Sequence, residues 1–390
     1  MLLLPLVEGM GQVRVSVTVG DKTAIDLSGL KFSSSAGASA FQRTLRNDLV
    51  RSGWFTIGTT GRGSVRLVGS VTESGGQLDV KCNAMAVASG RSFMNQGYRH
   101  SAREPSRLAH RVADDIVKAV TGREGIASSK ILMLGTATRS KELYICDYDG
   151  QNLIQLTKDK TVNIRPRWTP DGKSVVYTSY LRRFPDIYMI ELATGKRKVL
   201  AKYPGLNVGG AVSPDGKELA LVLSKDGNPE LYIKNMRTGR LTRITRTSGA
   251  EASPSWSPDG KQICYVSDQA GKPNLYIVSR SGGRPTRVPA RGIENVAPDW
   301  GGNGKIAYAG RFGGRFQIFV YDPATKQNIQ VSVGAGDFED PSWAPNGRHI
   351  TCSREQNFRS EVYILDTMGD PPIRLLNHKG DWYSPAWSPE

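Results

Sequence analysis

The chain has 390 residues and 42.5 kDa, of which 38% are hydrophobic and 23% charged, a balance that excludes a wholly disordered protein. Lys plus Arg (52) against Asp plus Glu (36) leave a formal charge of +16. No apolar run approaches the roughly 20 residues of a membrane-spanning helix, and 43 glycines and 21 prolines without a collagen period point to many tight turns.

The length allows two or three domains, or one large propeller or barrel with a smaller companion. Basic excess is spread in proportion to length: residues 1–130 hold 17 basic and 10 acidic side chains, leaving 35 and 26 for the remainder. There is no run of five or six like charges and no interleaving of Lys or Arg with aromatics of the RNA-binding kind, so no nucleic-acid site is expected.

Leu2-Leu3-Leu4-Pro5-Leu6-Val7 opens the chain. Residues 1–12 admit two readings, a disordered or strand-like start or the remnant of a signal peptide whose upstream part is missing. Residues 13–19 (V-R-V-S-V-T-V) alternate strictly, predicting a strand with one buried face. Residues 38–52 read as a helix with Phe41, Leu45 and Leu49 on one face and Gly53 as its stop, followed by an extended Trp54-Phe55-Thr56-Ile57. Thr60-Gly61-Arg62-Gly63-Ser64 is Gly-rich with no helix after it, hence a turn rather than a phosphate loop. Residues 65–71 and 78–82 predict a hairpin around Ser74-Gly75-Gly76, and Pro105–Val120 a second helix with Leu108, Val112, Ile116 and Val120 on one face, ended by Gly122. Strands first and then helices on one face describe a small α+β domain over 13–124.

The rest of the chain is a repeat. W-T-P-D-G-K (168–173), S-P-D-G-K (213–217), W-S-P-D-G-K (256–261), W-G-G-N-G-K (300–305), W-A-P-N-G-R (343–348) and W-S-P-E (387–390) follow one another. Their anchors Trp168, Val212, Trp256, Trp300, Trp343 and Trp387 are 44, 44, 44, 43 and 44 residues apart. Pro at the second turn position and Gly at the fourth predict a type I turn with a bulge between two strands. The Trp before it offers a large apolar wedge between sheets. Each unit therefore contains four antiparallel strands, and units of 40–50 residues are propeller blades. Residues 125–390 are accordingly predicted to be an all-β six-bladed propeller. Residues 131–156 supply only three strands, so the lone strand 382–387 is expected to complete that sheet and close the ring.

No nucleophile elbow, phosphate loop or zinc-protease helix motif is present. The turn residues Asp171, Asp215 and Asp259 read as structural. Cys82, Cys146, Cys264 and Cys352 lack ligand spacing, and His100, His110, His349 and His378 are scattered, so neither metal nor cofactor is expected.

Three further stretches carry a family resemblance. D-L-V-R-S-G-W-F (48–55), H-R-V-A-D-D-I-V-K-A-V-T-G-R-E-G-I-A-S-S-K-I (110–131) and E-L-Y-I-C-D-Y-D-G-Q-N-L-I-Q-L-T (142–157), in front of six such blades, resemble the TolB family. That family supplies the periplasmic component of the Tol–Pal system. The resemblance implies a non-enzymatic periplasmic adaptor binding the peptidoglycan-associated lipoprotein Pal at the channel mouth and TolA through its N-terminal region. It would serve outer-membrane integrity and constriction at division. Val212 in place of Trp, and Gly302-Asn303 in place of Pro-Asp, depart from the motif while keeping its spacing.

The innermost strand of a blade lines the channel. Five residues before the anchors stand Asn163, Asn207, Glu251, Asn295, Phe338 and Trp382; three before stand Arg165, Gly209, Ser253, Ala297, Asp340 and Ser384. A polar ring with two aromatics, extended by Arg165 and Asp340, is the expected partner site. The alternative is a glycan-binding or hydrolytic propeller using the same funnel, with Glu251, Glu294, Asp299 and Asp340 as its carboxylates. A third reading has the basic surface associating with anionic polymers.

Overall fold

The computed structural model describes residues 22–58 and 63–389. The alternating stretch 13–19, residues 1–12 and Thr60 to Arg62 lie outside them.

The N-terminal part is a five-stranded sheet in the order β2-β1-β3-β4-β5, formed by β1 (Thr23–Phe32), β2 (Phe55–Ile57), β3 (Val65–Ser74), β4 (Gln77–Ala86) and β5 (Ser92–Ser101). Helices α1 (Ala36–Arg51) and α2 (Pro105–Thr121) cover one face. The predicted hairpin is present but longer, with Ser74 paired to Gln77 across Gly75 and Gly76, at φ 58° and 74°. Two positive φ values in a two-residue turn match the twist of the flanking strands, which is why glycines stand there. Ser35 caps α1 by accepting from the Ala38 N–H, and Gly122 ends α2 at φ 69°.

Two differences from the sequence reading appear. Helix α1 lies between β1 and β2, so strands and helices interleave rather than follow in blocks. Both β1 and β5 escaped the periodicity argument. Strand β1 carries a register shift between Asp26 and Gly29 that breaks its alternation, and β5 exposes most of its residues.

Six four-stranded sheets follow. Blades 1 to 5 run over 163–201, 207–243, 251–287, 295–330 and 337–374, and the C-terminal strand Trp382–Trp387 pairs with β6 (Lys130–Gly135), then β7 (Glu142–Asp147) and β8 (Ile154–Gln155). Trp382 pairs with Gly135 and Trp387 with Ile131, closing the ring as the fragments predicted. The turn glycines 172, 216, 260, 304 and 347 all sit at φ 65–79°. Asp171 accepts from Thr169 Oγ1 and the Lys173 N–H, and Asp215 and Asp259 repeat the pattern. The hydroxyl and amide donors hold these carboxyls below the usual range, so they are turn staples. Trp256 packs into blade 2, its Nε1 donating to Ala211 O at 2.9 Å. Trp168 bonds Ala386 O across the closure at 2.9 Å.

Candidate functional site

Strand register decides which loops share a face. Asn163 pairs with Ser179, and Ser179 with Asp186, so the 180–185 hairpin projects from the same edge as the loop entering Asn163. Asn207–Leu223–Glu230 and Glu251–Ser267–Asn274 repeat this. The P-D-G-K-type turns occupy the opposite edge. The N-terminal domain meets that turn edge: Lys22 bonds Asp370, Arg51 bonds Asp149 O, and the Arg348 guanidinium lies 4.5 Å over the Trp54 ring. The entry edge is the open mouth.

On this open face Val162, Leu181, Phe184, Ile293, Phe312, Val333 and Phe358 expose apolar side chains, Phe184 at 70% and Phe358 at 96%. They sit at hairpin tips and entry loops. Sequence reasoning passed over them, because loop aromatics have no period; only the register collects them on one rim. Exposed apolar groups on the hairpins and entry loops of blades 1, 4 and 5 give this face patches of the kind that docking surfaces present.

The six residues five before the anchors are placed differently from expectation. Asn163, Asn207, Glu251, Asn295, Phe338 and Trp382 are at most 2% exposed. Asn207 donates to Tyr203 O (2.8 Å) and Gly205 O (3.1 Å) and accepts from the Tyr203 N–H (2.8 Å). Asn163 donates to Lys141 O (2.9 Å), and Asn295 to Gly292 O (3.1 Å) and Asn274 Oδ1 (2.9 Å). Phe338 lies under the Arg354 guanidinium at 5.5 Å, and Trp382 stands edge-on to Tyr144 at 5.1 Å. Burial withdraws these six side chains from direct partner contact. The three asparagines brace the entry loops, because loop backbone buried between blades must find partners.

Glu251 differs from the asparagines in facing another carboxyl, Glu230. Burial, reinforced by that neighbouring charge, pushes Glu251 up to about 7 against the hydroxyl donors Ser267 and Thr247.

The residues three before the anchors are the ones re-aimed. Arg165, Gly209, Ser253, Ala297, Asp340 and Ser384 all have positive φ, between 44° and 70°, and each innermost strand shifts register there. Five of the six precede a proline, where a left-handed conformation is disfavoured; the bulge overrides that preference and swings the side chain into the channel. Arg165 Nη1 reaches Ser253 Oγ two blades away, and Ser384 Oγ donates to Asp340 Oδ2 at 2.6 Å. Burial lowers the Arg165 guanidinium while the Asp340 charge opposes it. One residue before the anchors, Asp299 accepts from the Trp343 N–H at 2.8 Å, and Ser255 and Ser342 accept from the Trp300 and Trp387 N–H groups at 2.9 and 3.1 Å. Burial raises Asp299, with the Arg167 charge opposing. The Arg165–Ser253 and Ser384–Asp340 bonds thus brace the channel from blade to blade.

The four carboxylates of the hydrolytic alternative do not form one constellation. Glu251 faces Glu230, Glu294 pairs with Arg311 at 3.4 Å, and Asp299 and Asp340 are occupied in the channel network. Glu339, beside Asp340, is pushed up to about 7 by burial and by the charges of Asp340, Asp337 and Glu355.

An α+β domain seated on the turn face of a ring-closed, Trp-anchored six-bladed propeller defines the class of protein. The family model described as the TolB beta propeller domain matches residues 117–390, and the chain belongs to the TolB family. It is 29% identical over 213 residues to a Tol-Pal system protein TolB of Legionella pneumophila, covering 50% of this chain and 51% of that one. Against the Tol-Pal system protein TolB of Desulfosudis oleivorans it is 32% identical over 142 residues, covering 36% of this chain and 32% of the relative. The chain thus spans about a third to a half of the length of these curated relatives. The crystal structure of TolB from Acinetobacter baumannii superposes with a TM-score of 0.85 at 26% identity, over 95% of this chain and 98% of that one. A putative TolB from Agrobacterium tumefaciens, at 19% identity and a TM-score of 0.53, shares the fold. Among the described residues no helix is long and apolar enough to cross a membrane.

Proposed function

We propose that this chain is a non-enzymatic periplasmic adaptor of the Tol–Pal envelope system. It binds the peptidoglycan-associated lipoprotein Pal at the open channel mouth and TolA through its N-terminal region. In that role it supports outer-membrane integrity and constriction at division. The propeller from about residue 125 carries the first contact, and the domain over 13–124 serves the second.

The observation that carries the reading is the apolar rim of Leu181, Phe184, Phe312 and Phe358 on the face away from the N-terminal domain. It lies at the mouth of a channel in which Arg165 bonds Ser253 and Ser384 bonds Asp340 from blade to blade. A partner segment entering there finds aromatic anchors at the rim and charged hydrogen-bonding groups below. The arrangement suits a peptide or protein, whereas hydrolysis would need converging free carboxylates.

Calorimetry with the purified soluble domain of Pal tests the first contact. The parent chain binds, and Phe184→Ser with Phe358→Ser weakens binding by tenfold or more while leaving the melting temperature in place. Equal affinity in the double variant removes the rim from the site, and no binding by the parent refutes the adaptor reading. For the second contact, removal of residues 1–21 abolishes capture of TolA and leaves Pal binding intact.

A further inference from the structure

The three stretches that carry the family resemblance converge on one point where the two domains meet. Asp48 closes the last turn of α1, His110 lies in the first half of α2, and Asp147 and Asp149 flank Tyr148 just after β7. The helices run side by side: Thr44 Oγ1 lies 3.3 Å from Ser106 Oγ, and one turn further along both, His110 Nδ1 lies 2.8 Å from Asp48 Oδ2. Tyr148 crosses from the propeller to donate to Asp48 Oδ1 at 2.6 Å, with its ring edge-on to the imidazole at 5.7 Å.

This arrangement leaves the other ring nitrogen with nothing to bond. The His110 side chain is 5% exposed, and its Nε2 is buried without a hydrogen-bond partner. In the neutral ring a carboxylate on Nδ1 favours the proton there and leaves the lone pair on Nε2. Asp147 and Asp149 offer carboxylates beside the ring, and one ligand atom from each of the three residues lies within 4.8 Å of the others. Two carboxylates beside a buried imidazole favour a bound cation there, a proton on the ring or a metal ion. Both aspartates are only half-buried, so an ion can enter and retain water. Asp147 already accepts from Lys130 Nζ (2.5 Å) and Asn152 Nδ2 (2.6 Å), and Asp149 from the Gln151 N–H (3.0 Å). Carboxylate oxygens have lone pairs to spare beyond those bonds.

We propose that His110 Nε2, Asp147 and Asp149 form a divalent-cation site of the zinc class that fastens the N-terminal domain to the propeller. One imidazole and two carboxylates, with a fourth position left to water, suit Zn²⁺ better than Ca²⁺ or Mg²⁺, which prefer all-oxygen cages. Asp48 serves as the outer carboxylate that orients a ligating histidine and raises its basicity. Rotation of the two aspartates brings the ligand atoms from 4.8 Å to the about 3.4 Å expected around a tetrahedral zinc. The site goes beyond the adaptor reading and does not depend on it, since its ligands lie on the turn face.

The test is Zn²⁺ titration of the full chain at pH 7.5, read by calorimetry against a competing chelator and by thermal melting, with Mg²⁺ as the control cation. One Zn²⁺ per chain, a melting temperature raised by a few degrees, and no response to Mg²⁺ are expected. His110→Asn keeps a donor near the Nδ1 position for Asp48 and removes Nε2; Asp149→Asn changes a half-exposed ligand without touching the buried Asp48–Tyr148 bond. Each should weaken Zn²⁺ binding by about tenfold to a hundredfold, a change in metal affinity read independently of fold. Absence of stoichiometric uptake by the parent, or uptake unchanged in both variants, overturns the site.

Discussion

At the scale of single residues, the innermost strand divides its work by position. The side chain five before each anchor is turned inward to serve loop backbone, and the one three before is swung into the channel by a left-handed bulge. Asn207→Ala leaves the Tyr203 N–H and the Tyr203 and Gly205 carbonyls without partners, and buried groups so stranded cost about 1–3 kcal/mol. The urea midpoint should fall accordingly while the spectrum of the folded protein is kept. Glu251 gives a pH signature. Its folded value of about 7 lies above the usual glutamate value of 4.5, so the protonated form belongs to the fold. Its contribution is complete below about pH 4.5 and is lost as the pH rises through 7, where the unfolded chain releases the proton more readily. Glu251→Gln should therefore flatten the fall in stability between pH 5 and pH 8 and stabilise the chain at pH 8, on the order of 1–2 kcal/mol. Denaturation midpoints at the two pH values check it; an unchanged slope would mean that the Glu230–Glu251 pair does not hold the proton.

At the scale of elements, the closing strand and the domain clasp matter most. Trp382 and Trp387 are both buried, and their strand pairs with β6 at four positions on either side of a bulge. The six residues Trp382–Trp387 thus cap a sheet edge that would otherwise be open along β6. A chain ending at residue 381 should lose its single sharp melting transition and aggregate, as judged by calorimetry and light scattering. Retention of a cooperative transition would mean that the ring is stable with three strands in its last blade. Element boundaries in the propeller were readable because each turn carries its own chemistry: an Asp or Asn followed by a left-handed Gly recurs at one spacing, with Pro before it in all but the 300–305 turn. In the N-terminal domain β1 was not readable, since a bulged strand flanked by two parallel neighbours has neither clean alternation nor a turn residue to mark it.

Across the whole molecule, the two domains are fastened by buried charge on the turn face. Arg348, 6% exposed, bonds Asp366 at 2.7–3.1 Å and stacks on Trp54 from the N-terminal domain. Despite its burial, Asp366 is held below the usual carboxylate range chiefly by the Arg348 hydrogen bonds. Arg348→Met would leave that carboxylate buried and unpaired, at a cost of about 3–5 kcal/mol. The expected outcome is faster proteolysis around residues 122–129 and a lower melting temperature; an unaltered digest would place domain docking elsewhere. Since the clasp occupies the turn face, docking of the domain leaves the opposite mouth free.

The repeat period, the turn chemistry and the incomplete blades at both ends determined the ring, its six blades and its closure from sequence alone. These are local or strictly periodic signals, and a 44-residue spacing has few other geometric solutions. What faces the channel and what faces the loops was decided only in three dimensions. A one-residue bulge exchanges the two sides of a strand, and neither Asn163 nor Arg165 announces on which side of it they lie. The apolar rim and the meeting of Asp48, His110, Asp147 and Asp149 belong to the same class. Their residues are remote in the chain and carry no common period, and the packing of α1, α2 and the first propeller strands brings them together.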